Sequence, residues 1–383
     1  MAITSTNLDQ HTQTAVPFVD LQAQHRALAA EIRVAVDEVL TDCNFILGRQ
    51  VREFEQAFAA YIGVAHAVGV SNGLDALRIA LAALDIGPGD EVIVPANTYI
   101  ATALAVSALG ARVVLVDCDA STYNLDPAKL ERAITSRTRV VIPVHLTGQP
   151  ANMAPILEIA ERRGLQVLED AAQAHGARYQ GQRCGSIGIA GCFSFYPAKN
   201  LGAAGDGGMI VTQNGKLAQR ARKLSNYGEV VKYEHTDKGL NARLDTLHAA
   251  ILQVKLPHLD HWNQKRAQHA QRYRERLAGI PNIGMQSVLP ECTHVYHLFM
   301  VQTSRRDALR QFLQDRGVQT GIHYPTPIHL QTAYADHGWK KGDFPVAEEL
   351  SSRIVSLPMF PELRDEQIDY VCEQIGEFVK AQS

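Results

Sequence analysis

Short apolar runs alternate along this chain with stretches in which apolar residues recur every three or four positions. Leu28, Ile32, Val36 and Val39 have helical spacing and predict an amphipathic helix over 26–40. An apolar run at 65–70 then meets Ser71-Asn72-Gly73, after which Leu74, Leu77, Leu81 and Leu84 share one helical face. Gly87-Pro88-Gly89-Asp90 ends that helix. Residues 91–94 read as a strand stopping at Pro95, and 98–109 as a helix. The rhythm repeats: strand 112–116, helix 127–134, strand 140–144, helix 154–163, and strand 166–168, which stops at Glu169-Asp170.

Strands separated by single helices predict an α/β fold with a mostly parallel sheet and crossover helices. Sheets of this kind bind ligands beyond the carboxyl ends of their strands. Gly73, Thr98, Tyr99, Asp170 and Gln173 all fall just past predicted strand ends. A helical stretch over 244–277 reads as the link to a C-terminal lobe. That lobe has strand 297–302, helix 306–316 and a last helix with Ile368, Val371, Ile375 and Phe378 on one face. The expected organisation is a disordered tail at 1–15, a large domain at 16–250, and a linker helix with a small domain at 251–383.

Composition narrows the function without choosing it. At 383 residues the chain exceeds what one core usually supports, which agrees with two lobes. Its 37 basic and 40 acidic residues nearly cancel, so no overall field draws it to nucleic acid or an anionic membrane. An anionic ligand has to be held by a local site. The six cysteines include no C-x-x-C pair, which points away from a zinc or disulfide framework and towards a reducing compartment. The first residues, polar and without an apolar stretch, do not read as a signal peptide. No run approaches the roughly 18 apolar residues of a membrane span. A cytoplasmic protein is expected, with no metal, nucleic-acid or membrane partner.

The candidate chemistry begins at Ser194-Phe195-Tyr196-Pro197-Ala198-Lys199-Asn200-Leu201-Gly202, followed by Gly205-Asp206-Gly207-Gly208. A lysine desolvated in such an apolar, glycine-rich loop becomes a nucleophilic amine, as Schiff-base chemistry requires. A solvated surface lysine is the other reading of the same composition. Asp170, in Val167-Leu168-Glu169-Asp170-Ala171-Ala172-Gln173, could hydrogen-bond a pyridinium nitrogen and make the ring an electron sink. Gln173 could hold the phenolic oxygen on the same ring edge. Asp170 could equally be a helix N-cap. At Ser71-Asn72-Gly73-Leu74-Asp75, Gly73 lets backbone approach an anion, and the amides at a helix start bind phosphate. Neither a P-loop nor G-x-G-x-x-G is present there. Tyr99 is placed to stack on a planar ring or to pack in the core. In combination, a phosphate-type turn, an aromatic, an Asp-x-x-Gln and a lysine along one sheet rim describe a pyridoxal-phosphate (PLP) site.

These motifs resemble those of the DegT/DnrJ/EryC1/StrS sugar aminotransferases, of the aspartate-aminotransferase fold (PLP fold type I). The resemblance runs from about Pro17 to Val379. It rests on the two segments around Asp170 and Lys199. Supporting matches are Asn72-Gly73-Leu74-Asp75-Ala76-Leu77, Pro95-Ala96-Asn97-Thr98-Tyr99, Val144-His145-Leu146-Thr147-Gly148-Gln149-Pro150 and Gly239-Leu240-Asn241-Ala242-Arg243-Leu244-Asp245. It implies a large domain with a mostly parallel, seven-stranded mixed sheet and a smaller C-terminal α/β lobe. It also implies that Lys199 forms the internal aldimine with PLP and moves protons. Asp170 would pair with the ring nitrogen, Gln173 with the phenolic oxygen, and Tyr99 would stack.

By the same resemblance, Gly73, Ser194 and the amides of Leu74 and Asp75 hold the phosphate. Asn241 reaches in from a second subunit of a homodimer with a shared active site, although members vary between the Asn241 and Arg243 positions. Leu74 departs from the family's usual Thr or Ser, so only its amide can serve. His323, Tyr324 and His329 lie in a loop fixed by Pro325 and Pro327, in the region near the sugar nucleotide; ordinary loop histidines are the other reading.

The Gly-Leu-Asp-Ala-Leu form, with Val-His-Leu-x-Gly-Gln-Pro and His175, is most similar to the branch that aminates the sugar 3-position. The implied substrates are a nucleotide-linked, dTDP-type 3-oxo-6-deoxyhexose and L-glutamate. A 4-keto sugar linked to UDP or GDP is an alternative, as is a non-catalytic PLP-binding regulator. The family's sugar dehydratases carry histidine where this chain has Lys199, which separates it from them.

Overall fold

The computed structural model describes residues 15–381. The expected tail therefore lies, apart from Ala15, outside the described residues. Helix α1 (Leu21–Asp42) starts at Asp20, whose carboxylate accepts the Ala23 amide at 2.9 Å. Its Leu28 and Ile32 are buried against Ile251 and Trp262, with Val36 beside them, as the periodicity predicts. Helix α2 (Arg49–Ile62) was not anticipated, although it buries Val51, Phe54, Phe58 and Ile62 at helical spacing.

The alternating region follows as β1 (His66–Val70), α3 (Gly73–Ala83), β2 (Glu91–Pro95), α4 (Ile100–Ser107), β3 (Arg112–Val116) and β4 (Thr138–Val141). It continues with α5 (Met153–Arg163), β5 (Gln166–Asp170), β6 (Ala190–Ser194), β7 (Gly208–Thr212) and α6 (Gly215–Ser225). The expected helix 127–134 is a single α turn, Pro127–Leu130, completed by a 3-10 turn. Strand β4 stops earlier than expected, before Pro143, which cannot donate to a ladder.

The seven strands form one sheet in the order β1-β7-β6-β5-β4-β2-β3. Strand β7 runs antiparallel to both β1 and β6, and the remaining pairs are parallel. This is the mixed, mostly parallel α/β sheet of PLP fold type I. Strand β2 is apolar through its middle because helices cover both faces. Val92, Ile93 and Val94 are fully buried, each stabilising by roughly 1.5–3 kcal/mol. A charge at Ile93 would split the sheet at its centre. Because β1, β2, β5 and β6 point the same way, their carboxyl ends share one rim. Gly73, Tyr99, Asp170 and Ser194 follow from that alone.

The long helix expected at 244–277 is two helices, α7 (Thr246–Lys255) and α8 (Leu259–Leu277). A 3-10 turn at Leu256–His258 separates them, where Pro257 lacks the amide an α-helix needs. The C-terminal lobe has a sheet of β8 (Gly284–Met285), β9 (Phe299–Gln302) and β10 (Ile354–Leu357). Helices α9 (Arg306–Gln314), α10 (Pro345–Arg353) and α11 (Asp365–Lys380) accompany it. Its core unites Tyr273, Phe299, Leu309, Val355 and the predicted face Ile368, Val371, Ile375 and Phe378. Val16, grouped with the large domain in the sequence, joins this core; its N–H donates to Gly317 O and its carbonyl accepts from Gln319. No described helix is long and apolar enough to cross a membrane.

Candidate active site

Strand β6 ends at Ser194, and the loop to β7 carries Lys199. The Phe195 amide donates to Gly207 O at 2.7 Å, the Lys199 amide to Tyr196 O at 2.8 Å, and the Ala203 amide to Phe195 O at 2.8 Å. Gly202 passes so close to the Pro197 carbonyl that a Cβ there would collide with it. From below, the Lys255 ammonium donates to Gly202 O at 2.7 Å. Phe54 and Phe58 pack edge-on against Phe195. The lysine thus stands on a closed, aromatic-backed loop.

Burial lowers the Lys199 pKa to about 8, against the opposing charge of Asp170. Its ammonium donates to Gln173 Oε1 at 2.5 Å. The Gln173 amide nitrogen donates to the Leu146 carbonyl. Gln173 therefore turns its oxygen to Lys199, and one of its amide hydrogens is engaged by Leu146.

On strand β5, successive side chains point to opposite faces. Glu169 points to one side and is saturated: it accepts the amides of Gly185, Ile187 and Gly188 at 2.7–2.8 Å. Nε2 of His145 donates to it at 3.0 Å, while Nδ1 of His145 accepts the Ala151 amide. Cys184 completes a buried trio whose ligand atoms lie within 4.8 Å of one another. With Glu169 and His145 so committed, and the thiol pushed far up by burial, the trio braces two loops. One of them presents Leu146 O to Gln173.

Asp170 points the other way. Its Oδ2 accepts the Thr102 hydroxyl at 2.8 Å and its Oδ1 the Ala172 amide at 3.2 Å. Burial raises its pKa, opposed by Thr102, the Ala172 amide, Lys199 and His145. It closes no helix, so the N-cap reading falls away: α5 precedes it, and turns follow it.

At the end of β1, α3 begins at Gly73, where a Cβ would lie 2.7 Å from Ser194 Cβ. Glycine is what allows the helix start and Ser194 to meet. Asn72 caps the helix by accepting the Asp75 amide at 2.8 Å. This corrects one expectation, since the Asp75 amide is not free for phosphate. The Asp75 carboxylate turns inward to the Ser71 hydroxyl and the Asn72 amide. The open donors here are the amides of Gly73 and Leu74 and the Ser194 hydroxyl.

Tyr99, more than half exposed, begins α4 and inclines its ring at 37° to Tyr324, 5.1 Å away. His323 Nδ1 lies 2.8 Å from Ser356 Oγ. Burial and the Lys199 charge lower His323 to about 4 and His175 to about 3, and push His297 well below the ordinary histidine value. These imidazoles stay neutral near pH 7, while Lys199 beside them has a pKa of about 8. His329 departs from the expected place beside the sugar: its side chain is fully buried, 2.9 Å from Glu348 and packed on Phe344, so it braces its loop. Asn241 bridges to Asn226 and is exposed.

Sequence reasoning missed Thr102, His145 and His297. The one local hint was the Thr98–Thr102 spacing, one helical turn apart.

These residues fit PLP. Beyond Lys199 lie an acceptor for a ring nitrogen in Asp170, a ring face at Tyr99, and a cradle at Gly73, Leu74 and Ser194 that a Cβ would fill. Solved structures of this fold hold the cofactor in its PLP and pyridoxamine forms.

The chain is 49% identical over 365 residues to a dTDP-3-amino-3,4,6-trideoxy-alpha-D-glucose transaminase of Streptomyces venezuelae, covering 95% of this chain and 96% of that one. It is 48% identical over 363 residues to a dTDP-3-amino-3,6-dideoxy-alpha-D-galactopyranose transaminase of Aneurinibacillus thermoaerophilus, covering 95% and 99%. Its fold superposes on S. venezuelae DesV, solved in complex with a ketimine intermediate, with a TM-score of 0.94 and 49% identity, covering 96% and 99% of the two chains. A family model matches residues 26–376. The chain belongs to the DegT/DnrJ/EryC1/StrS aminotransferase family, and it is a PLP-dependent nucleotide-sugar aminotransferase.

Proposed function

We propose that this enzyme transfers the amino group of L-glutamate to a dTDP-linked 3-oxo-6-deoxyhexose, giving a 3-amino-3,6-dideoxyhexose and 2-oxoglutarate. The observation that carries the chemistry is buried Lys199 in contact with Gln173 and within reach of the Asp170 charge, with a pKa near 8. The names of the two relatives, both dTDP-3-amino-sugar transaminases, support the sugar, the nucleotide and the position.

When bound, PLP supplies an electron sink for charge developing on the donor's α-carbon. Lys199 Nζ takes the α-proton of glutamate in the first half-reaction and delivers a proton to sugar carbon 3 in the second. A base with a pKa near the working pH does both efficiently. Asp170 accepts from the ring nitrogen, and Gln173 holds the free amine of Lys199 in line between transfers. The Gly73 and Leu74 amides and the Ser194 hydroxyl take the phosphate, at a helix start that favours an anion. Tyr99 covers the ring, and His323 with Tyr324 borders the sugar.

The same reading includes a homodimer with a shared site. Beside Asn241, the hairpin at 229–235 exposes Val230, Val231 and Tyr233, and Ile46 and Tyr227 are exposed as well. Exposed apolar side chains in number are a common feature of interfaces, and an interface here would carry Asn241 to a partner's cofactor. All six cysteines are free, in keeping with a cytoplasmic enzyme.

The test is a panel of dTDP-, UDP- and GDP-linked keto sugars offered with glutamate and read by mass spectrometry. The expected product is an amine on carbon 3 of the dTDP sugar. Amination at carbon 4 alone, or only of UDP or GDP sugars, would overturn the assignment.

A further inference from the structure

Asp170 is a buried carboxylate that draws a hydroxyl from a helix 68 residues away in sequence. Thr102 is 1% exposed and Thr98 4% exposed, and their hydroxyl oxygens are 3.0 Å apart. A helical threonine ordinarily turns its hydroxyl back to a carbonyl of the preceding turn. Thr102 instead directs its oxygen at Oδ2 of Asp170, 2.8 Å away.

The direction of this chain follows from valence. An ionised carboxylate only accepts, and each hydroxyl has one hydrogen. Thr102 therefore donates to Asp170, and the Thr98–Thr102 contact is closed by the hydrogen of Thr98. A hydroxyl that is itself accepting is the stronger donor. The Ala172 amide fills one position on Oδ1. The carboxylate keeps lone pairs for one further donor from the rim side. The first turn of α4 thus does two things at once, since Tyr99 at its start offers a ring face and Thr102 one turn on grips the carboxylate.

We propose that Thr102, backed by Thr98, is a positioning residue that holds Asp170 ionised and aimed at the cofactor's ring nitrogen, and so sets how tightly this chain retains PLP. The inference rests on Asp170 being the partner of that nitrogen.

The experiment titrates PLP into cofactor-free protein and follows absorbance, with denaturant unfolding of each variant as the control. Thr102→Val keeps the shape and removes the hydroxyl. A hydrogen bond to a charged group is worth roughly tenfold or more in affinity, so Thr102→Val should weaken PLP binding by about that factor. Thr102→Ser should restore it. Thr98→Val should weaken it less, by roughly threefold. Placed in Asp170→Asn, the Thr102→Val change should cost little more, because its effect acts through the carboxylate.

Normal PLP affinity in Thr102→Val, failure of Thr102→Ser to rescue, or a full additional loss on top of Asp170→Asn would each overturn the relay. If Thr102→Val does not fold, Thr98→Val and Thr102→Ser decide: equal affinity of Thr98→Val and the parent would count against it. Asp170→Asn alone separates the two levels. Unchanged PLP affinity there would remove the assignment of Asp170 itself, whereas a loss there with none in Thr102→Val would remove only the relay.

Discussion

The ammonium of Lys199 donates to the side-chain oxygen of Gln173 at 2.5 Å, and the nitrogen of the same amide is anchored on the Leu146 carbonyl. A neutral acceptor here orients the lysine without adding charge, so burial is free to hold its pKa near 8. Replacing it by a carboxylate removes that balance.

Gln173→Glu should therefore raise the Lys199 pKa. Capture of PLP needs the neutral amine, whose fraction grows as pH rises through that pKa. In the parent the capture rate should climb through about pH 8. In Gln173→Glu the midpoint should move about one pH unit or more higher, as expected for an opposite charge in contact. Stopped-flow absorbance across pH 6–11 reads this directly, and an unmoved midpoint would mean that Gln173 does not govern the lysine's charge.

Gly73 and Ser194 touch where no Cβ fits, the distance being 2.7 Å to Ser194 Cβ. That neighbour is a β-carbon fixed directly to the backbone at the strand end and cannot swing aside. Gly73→Ala should push the helix start away, costing about 1–3 kcal/mol of stability and roughly tenfold or more in PLP affinity. Affinity for pyridoxal without its phosphate should change little. Equal losses for both ligands in equilibrium titrations would place the damage elsewhere than the phosphate cradle.

The loop histidines divide by burial. His329, enclosed against Glu348 and Phe344, should show its value in folding. His329→Ala should lower unfolding free energy by about 1–3 kcal/mol while the KM for the sugar nucleotide holds. His323→Ala should raise that KM instead. With its pKa lowered to about 4, His323 is already neutral above pH 5, so His323→Ala should leave the kcat/KM profile unchanged between pH 5 and 8. An inflection near pH 6.5 that vanishes in His323→Ala would show the imidazole charging during turnover.

Much of this was legible in the chain because the signals are local. Gly73, Leu74, Tyr99 and Asp170 each lie at or just beyond a strand end that hydrophobic spacing can locate, Ser194 and Lys199 lie in a glycine-rich motif, and a parallel sheet brings strand ends to one rim. The order of elements up to β5 and the mostly parallel α/β sheet followed from alternation of period, whereas β6, β7 and α6 were not anticipated. Helix α2 and the halves of the 244–277 helix escaped for equally local reasons: a helical stripe left unread, and the single Pro257.

Other features depend on strand order and on capping, which spacing does not encode. Thr102 meets Asp170 across 68 residues because the helix after β2 packs over the end of β5. His145 meets Glu169 because β4 and β5 are neighbours. The Asp75 amide, free in a sequence reading, is taken by Asn72, and His329, placed near substrate by its neighbours in sequence, is turned into the protein. A residue's type and its place on an element are set by its nearest few neighbours. Its burial and its hydrogen-bond partner are set only when distant segments pack. The amino acids by themselves thus determined that a lysine, an aspartate and a phosphate turn would line one rim. Folding determined that the lysine would be poised near neutral pH and that two threonines would stand behind the aspartate.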